Sequence, residues 1–206
     1  MALQVRLSIE QDAVHIHPSI WTRYEFISKV LPDPATSYSR NNLKQLVTGA
    51  FKDNDPQLIS EIFVKTMMWG SGTTNGRGPR YTNKALSDGK LVGTLIKARE
   101  LLMKSDIPAA YDLHRQIPGV GPSFHTKLLW VIGSDLENLN PRPLILDVLV
   151  WKGLKLIGWS SIQAAGTLNR GRRYGAYLDQ CSLLATQHSC SPEDFEYSLY
   201  LMGKNS

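Results

Sequence analysis

The carboxylate of Asp147 is the one charged group in an otherwise apolar stretch, between the segments PLIL (143–146) and VLVW (148–151). An aspartate in front of an apolar helical run is typical of a helix N-cap, where backbone N–H groups and the helix dipole keep the carboxylate ionised. A carboxylate held in this way can stabilise positive charge that develops during bond cleavage, or can orient a water molecule. Asp147 is therefore a structural cap and a candidate catalytic group.

A second feature is a glycine-rich corner, IPGVG at 117–121, between two helical segments. Gly119 and Gly121 can adopt backbone angles that are closed to most residues, and without side chains they let an outside group approach the main chain. Pro122 suits the first turn of a following helix, whose free N–H groups point outward. Such a corner binds anions, and a DNA phosphate is the natural ligand. The alternative interpretation is a plain corner between two helices.

Together, the corner and the aspartate resemble the helix-hairpin-helix superfamily of base-excision DNA glycosylases. In that superfamily an apolar stretch with one aspartate at a helix start follows the hairpin, as at 143–151 here. Tyr174, Tyr177 and the closing segment SPEDFEYSLYLMGK (191–204) also resemble the last helices of the family. The connection at 133–143 is longer than usual. The terminal helices lean toward the 8-oxoguanine glycosylase-like branch of the superfamily.

The resemblance implies roles for three residues. Asp147 corresponds to the catalytic carboxylate, which stabilises positive charge on C1′ of the sugar as the base departs. Bifunctional members place a lysine two residues after the last glycine of the hairpin, where this chain has Ser123. The resemblance therefore implies a monofunctional enzyme that uses water as its nucleophile and leaves an abasic site. Lys127, four residues further along the same helical face, is an alternative nucleophile or a phosphate contact.

The resemblance also implies contacts with double-stranded DNA at the corner and at a loop, GSGTTNGRGPR (70–80), that follows a predicted helix. In relatives such a turn carries the side chain that fills the gap left by a flipped base, although a plain surface loop would have the same composition. The residues expected to contact DNA are Pro118, Gly119, Val120, Gly121, Lys127, Thr74, Asn75, Arg77 and Arg80. Those expected to form a base pocket are Trp69, Trp151 and His125, for each of which a place in the core is the alternative.

Charge and composition fit a globular protein that binds a polyanion. The chain has 206 residues and a net charge of +5, with 42% apolar and 20% charged residues. Residues 76–104 carry seven Lys/Arg against two acids, and residues 152–173 carry five against none. Because no apolar run is long enough to span a bilayer and the N-terminus lacks a signal-like core, we expect a cytoplasmic monomer, nucleoid-associated if bacterial, with no membrane partner.

The sequence does not predict a structural metal site, because the five histidines do not lie at metal-like spacings from cysteines or acids. Two cysteines, Cys181 and Cys190, are too few for a disulfide framework or an iron–sulfur cluster. No cofactor is expected to be required. The resemblance implies at most a monovalent cation, K⁺ or Na⁺, that joins carbonyl oxygens of residues 117–121 to a DNA phosphate.

A mostly helical fold must position these groups. Residues 3–17 alternate apolar and polar side chains, which predicts one or two short strands. Apolar spacing and capping residues predict helices at 20–31, 41–52, 57–69, 88–104, 107–116, 122–132, 147–158, 172–188 and 192–203. We therefore expect a mostly α fold of about nine or ten helices, the helix-hairpin-helix glycosylase fold. Residues 1–18 would form a β or irregular extension, and residues 19–206 a domain of two helical lobes flanking a DNA-binding cleft, with the hairpin at 107–132.

Three other functions stay open. The first is a bifunctional glycosylase and lyase that uses Lys127. The second is an anti-phage glycosylase that removes hypermodified bases from foreign DNA, which the absent lysine favours. The third is a non-enzymatic module that only grips DNA; since such modules need little more than the two hairpin helices, the full helical domain favours an enzyme. The sequence does not indicate which base is removed.

Overall fold

Helices make up most of the fold, as predicted. The computed structural model describes residues 5–8, 11–72 and 76–206. Their α-helices are α1 (Pro18–Trp21), α2 (Glu25–Val30), α3 (Arg40–Gln45), α4 (Val47–Lys52), α5 (Pro56–Ser71), α6 (Gly78–Ser87), α7 (Leu91–Met103), α8 (Ile107–Asp112), α9 (Pro122–Ile132), α10 (Val148–Leu156), α11 (Ser161–Ala165), α12 (Arg170–Gln187) and α13 (Pro192–Lys204). No helix in these ranges is both long and apolar enough to cross a bilayer.

The N-terminal segment forms a small antiparallel sheet and packs against the last helix. Strand β1 (Val14–His15) pairs with β2 (Ser37–Tyr38), with Val14 opposite Tyr38. The backbone N–H of Arg6 donates to Ser198 Oγ at 2.8 Å, and the N–H of Ser8 donates to Asp194 Oδ1 at 2.6 Å. The predicted strand is therefore present but short, and residues 6 and 8 lie against the last helix.

Two helices were not predicted, and two predicted helices are divided. The segment 20–31 forms α1 and α2, and 41–52 forms α3 and α4, which raises the number of helices above the nine or ten expected. Helix α6 begins inside the loop predicted at 70–80, because Pro79 fits a first helical turn and Gly78 packs closely against Ser71 and Trp21. Arg80 therefore lies on a helix. The short α11 follows a cap at Ser160, whose side chain accepts from the backbone of Gln163.

Two helices meet at the glycine corner, where the hairpin is predicted. Helix α8 continues as a 3₁₀ turn (Leu113–Gln116), and α9 follows the glycine corner. Ile117 and Val120 are buried and anchor the corner. Gly119 has a φ of +80°, and a Cβ there would lie 3.0 Å from the side chain of Tyr81 on α6, so both backbone and space require glycine. Gly121 has an ordinary φ of −80° but faces open space, which leaves its backbone accessible.

His125 holds the two hairpin helices together. Its side chain is fully buried, and Nε2–H donates to the carbonyl oxygen of Ala110 on α8 at 2.8 Å. Burial lowers the pKa of His125 to about 4, against the opposing effect of the Ala110 hydrogen bond. The expectation that His125 lines a base pocket is therefore wrong, because its ring belongs to the packing between α8 and α9.

Acid titration tests this burial. The pKa of His125 is about 4 in the folded chain and about 6.5 in the unfolded chain, so the unfolded state takes up the proton first. The free energy of unfolding should fall by about 3 kcal/mol as the pH drops from 6.5 to 4. His125→Gln keeps an N–H donor and should lose this dependence in urea unfolding between pH 4 and 7. Equal pH slopes for the two proteins would contradict a neutral, buried His125.

Helices α10 and α13 pack with their backbones in contact at two glycines. A Cβ on Gly153 would collide with the carbonyl of Leu199, and a Cβ on Gly203 with the carbonyl of Leu149. This close packing sets the position of α10 and therefore of Asp147, which caps its N-terminus.

A pair of glycine substitutions measures how much this packing contributes. Gly153→Ala should lower the free energy of unfolding by about 1–3 kcal/mol, because the added methyl group pushes the two backbones apart. Gly49 in α4 faces open space, so Gly49→Ala should raise it by about 0.5–1 kcal/mol through helix propensity alone. Urea unfolding of both variants measures the two changes in the free energy of unfolding. If both changes have the same sign, the backbones of α10 and α13 are not in close contact at Gly153.

Candidate active site

Asp147 is held rigidly as the N-cap of α10. Its backbone is extended, and Oδ1 accepts hydrogen bonds from the N–H groups of Leu149 at 3.0 Å and Val150 at 3.2 Å. These bonds use two of the free donors at the helix start. The predicted cap is therefore confirmed, and Oδ2 is left for another partner.

Lys127 on α9 is that partner. Its Nζ lies 2.8 Å from Asp147 Oδ2, and the two side chains are 10% and 16% exposed. The lysine stem passes close to Gly70, where a Cβ would lie 2.9 Å from Lys127 Cδ, and Nζ lies 5.8 Å from the ring centre of Phe124. Glycine at position 70 therefore makes room for the lysine, and two residues considered separately in the sequence form one ion pair.

The surroundings keep the Asp147 carboxylate ionised. Burial by itself would raise its pKa, but the charge and hydrogen bond of Lys127 and the two backbone N–H groups outweigh burial. The pKa of Asp147 consequently lies below the ordinary value for aspartate. The site thus presents a fixed negative charge with an amine beside it at neutral pH.

The ion pair lies in the wall of a cavity of about 200 Å³, referred to below as the Asp147 cavity. Its walls come from six separate parts of the chain, namely the N-terminal segment, the start of α3, the end of α5, helix α9, the start of α10 with the segment before it, and the last helix. The lining residues besides the pair are Gln11, Val14, Arg40, Trp69, Gly70, Ser71, Gly72, Ile145, Leu149, Glu196 and Tyr200. The N-terminal extension thus contributes to the site.

A buried ion pair between Arg40 and Glu196 forms part of this wall. Arg40 donates to Glu196 through Nη1 at 2.9 Å and Nη2 at 3.3 Å, and its Nε donates to Gln11 Oε1 at 2.6 Å. Because Arg40 requires an acceptor, the Gln11 amide oxygen faces the arginine. The Gln11 amide N–H₂ group has no protein partner within the described ranges and can donate to a ligand in the cavity. Burial raises the pKa of Glu196 in spite of Arg40.

Sequence reasoning did not find Gln11, Arg40 or Glu196. Arg40 and Glu196 are 156 positions apart, so no local pattern relates them. The one usable signal was an acid at position 196 between the aromatic residues Phe195 and Tyr197, all of which are buried in α13. A charge inside an apolar helical face requires a buried partner.

The other residues predicted for the site divide between two places. Trp69 lines the Asp147 cavity and stacks on Trp130. Trp151 lines a different cavity and is not part of the Asp147 cavity wall. Ser123 lies half-buried in the first turn of α9 and is not part of the Asp147 cavity wall in the described structure. Lys127, one helical turn further on, faces the carboxylate instead.

Apart from Val120 and Lys127, which are buried, the expected DNA contacts are at or near the surface as far as the structure describes them. Gly119 and Gly121 are exposed and Pro118 is half-buried, whereas Val120 is buried. Arg77 and Arg80 are exposed at the start of α6, the helix whose Tyr81 packs on Gly119. The helix that begins with these arginines therefore packs against the corner. Thr74 and Asn75 lie outside the described residues.

Within the described residues, no three His, Cys, Asp or Glu side chains lie close enough together to hold a metal ion. Cys181 and Cys190 are free thiols, the first buried and the second half-buried. The monovalent cation at residues 117–121 stays a prediction.

Comparison with known protein families matches residues 7–200 to the family described as "Putative 8-oxoguanine DNA glycosylase OGG-like protein". No curated protein and no solved structure matched the chain. The matched range includes the corner, the Lys127–Asp147 pair and the Arg40–Glu196 pair. The chain therefore belongs to this 8-oxoguanine DNA glycosylase-like family.

Proposed function

We propose that the protein is a DNA glycosylase that binds double-stranded DNA at the glycine corner and admits a flipped nucleotide to the Asp147 cavity. The observation that carries the proposal is the carboxylate–amine pair of Asp147 and Lys127 in the wall of a cavity, with Lys127 on the helix that follows the corner. Membership of the family supports this activity. The proposed reaction breaks the bond between a base and C1′ of its deoxyribose.

Asp147 has the properties that this reaction requires. As the base departs with the bonding electrons, C1′ and the ring oxygen share a positive charge, and a nearby fixed carboxylate lowers the energy of that state. The capping hydrogen bonds prevent the carboxylate from turning away, and its lowered pKa keeps it charged. Asp147 is therefore proposed as the catalytic carboxylate.

The geometry favours Lys127 as the nucleophile over the water mechanism that Ser123 implied. An amine that has lost its proton can attack C1′, so that a C1′–Nζ bond forms as the glycosidic bond breaks and the departing base takes up a proton. The C1′–O4′ bond then breaks as a proton passes from the adduct nitrogen to the ring oxygen, which opens the sugar ring and gives an imine, from which the strand can be nicked. Lys127 is the amine beside Asp147, whereas Ser123 lies outside the cavity wall among the described residues. We therefore infer a bifunctional glycosylase and lyase, with the monofunctional enzyme as the alternative.

Removing the charge of Asp147 tests the first part of the proposal. Asp147→Asn keeps the oxygen that caps α10 but cannot stabilise a positive sugar, so excision should fall by roughly 100-fold or more. The assay is release of 8-oxoguanine from a duplex that pairs it with cytosine, followed by hot alkali and a denaturing gel.

The control for this variant is Asp135→Asn. Asp135 pairs with Arg99 at 2.6 Å with similar exposure, so its substitution also leaves a partly buried cation unpaired, but away from the cavity. This control should excise as the unmodified protein does. Full activity of Asp147→Asn would show that Asp147 is not the catalytic carboxylate.

Borohydride distinguishes the two nucleophiles. Reduction during turnover should trap the imine of Lys127 as a covalent protein–DNA adduct, visible as a shifted band on a denaturing gel. Lys127→Arg keeps a cation beside Asp147 but cannot form the imine, so no adduct should appear. Lys65→Arg, which alters a lysine paired with Glu61 on α5, should be trapped normally. Excision without an adduct would establish the water mechanism, and an adduct with Lys127→Arg would point to another amine.

The non-enzymatic alternative makes a different prediction for the same experiments. A module that only grips DNA would bind the duplex with strong salt dependence and release no base from any substrate. It would also need neither the buried Arg40–Glu196 pair nor the carboxylate–amine pair beside it. The role in defence against foreign DNA stays a prediction.

A further inference from the structure

A second cavity, of about 280 Å³, lies beside the hairpin and is referred to below as the arginine cavity. It shares no lining residue with the Asp147 cavity. Its walls are aromatic, apolar and cationic, and no acidic residue lines it. The lining residues are Tyr111, Pro122, Leu146, Trp151, Arg170, Arg173 and Tyr174.

The two arginines of this cavity have no carboxylate partner among the described residues. Arg170 is exposed. The Nε of Arg173 donates to Ser161 Oγ at 2.9 Å, and its guanidinium lies 5.9 Å from the ring centre of Trp151. The outer N–H groups of both side chains are therefore available to an anion, and Ser161 and Trp151 hold one of them in place.

The position of these charges is unfavourable for the helix that carries them. Arg170, Arg172 and Arg173 all lie in the first turn of α12, and no acidic residue lies in that turn. Cations at a helix N-terminus oppose the helix dipole, and Arg170 and Arg173 repel each other at a spacing of three residues. A bound anion would offset both the unfavourable dipole interaction and the repulsion between the arginines. Ligand binding therefore explains these arginines better than a contribution to helix stability does.

The arginine cavity also adjoins the predicted path of DNA. Pro122 lines it and is the first residue of α9, where the glycine corner presents its free backbone N–H groups. Its back wall is rigid, because Tyr111 and Tyr174 stack with ring centres 4.9 Å apart and the Tyr174 hydroxyl donates to the carbonyl of Leu144 at 2.7 Å. A strand held at the corner therefore passes the mouth of this cavity.

We propose that the arginine cavity binds one backbone phosphate of the DNA strand that the hairpin holds. Arg170 and Arg173 donate to the phosphate oxygens, and Trp151 packs against the attached sugar. The site is separate from the carboxylate–amine pair and acts in binding, not in cleavage of the base–sugar bond. The inference rests on the proposed function only in taking DNA as the ligand.

Three substitutions on one helical turn test the proposal. Arg170→Gln and Arg173→Gln should each weaken binding of a duplex by roughly tenfold in fluorescence anisotropy, and together they should reduce the slope of log affinity against log salt by about 0.9. Arg172→Gln removes the same charge from the same turn, but Arg172 does not line the cavity, so its effect should be much smaller. If all three variants lose the same affinity for DNA, the arginines form only a general basic surface and the proposal is wrong.

Neutral linkages locate the phosphate. In a series of duplexes, methylphosphonate replaces one phosphate at a time. Replacement at several positions of the strand should weaken binding of the protein. At one of these positions the affinity of the double variant Arg170→Gln/Arg173→Gln should not fall further, since this variant already lacks the contact with that phosphate. If every position weakens the variant as much as it weakens the unmodified protein, the arginines do not contact a backbone phosphate.

A free anion is the competing ligand for the same chemistry. If inorganic phosphate raises the melting temperature of the unmodified protein but not of the double variant, while both bind DNA equally, the cavity is a site for free phosphate and the proposal fails. Excision is scored separately. If the arginine substitutions weaken DNA binding but no base is released, only the glycosylase proposal is wrong. If base is released but the arginine substitutions do not change DNA binding, only the phosphate site is wrong.

Discussion

The ion pair between Lys127 and Asp147 is the interaction on which the arrangement of the site depends. Taking both charges out of water is costly, and such a pair persists only when additional hydrogen bonds satisfy its remaining atoms. The start of α10 supplies those bonds to Asp147, and the glycine at position 70 supplies space for the lysine stem. Since partly buried pairs add little net stability, a role in chemistry accounts for this one better than a role in folding does.

The remaining wall of the Asp147 cavity shows why so large a part of the chain is needed. Arg40 lies near the start of the domain and Glu196 near its end, and the N-terminal segment joins them through Gln11. The glycine contacts between α10 and α13 bring Asp147 and Glu196 to the same cavity. A hairpin alone could hold DNA, whereas the cavity requires both ends of the chain.

Helix α9 divides its surface between the two cavities. Pro122 and Lys127 are five residues apart, which places them roughly 140° apart around a helix with 100° per residue. One therefore borders the arginine cavity and the other the Asp147 cavity. Leu146 and Asp147 are divided in the same way, because adjacent side chains of an extended backbone point to opposite sides. In the proposed function, one helix thus meets the strand at its start and the sugar one turn later.

Features that depend on neighbouring residues can be predicted from the sequence. These are the mostly helical fold, the glycine corner and the cap at Asp147, since capping and turn chemistry are local. Tertiary packing sets the burial of Ile117 and Val120, the position of Lys127 rather than Ser123 beside the carboxylate, and the place of His125 in the core. It also paired Arg40 with Glu196. Those outcomes depend on how far each helix is rotated and on which distant helix packs against it, and residue spacing along one helix does not contain that information.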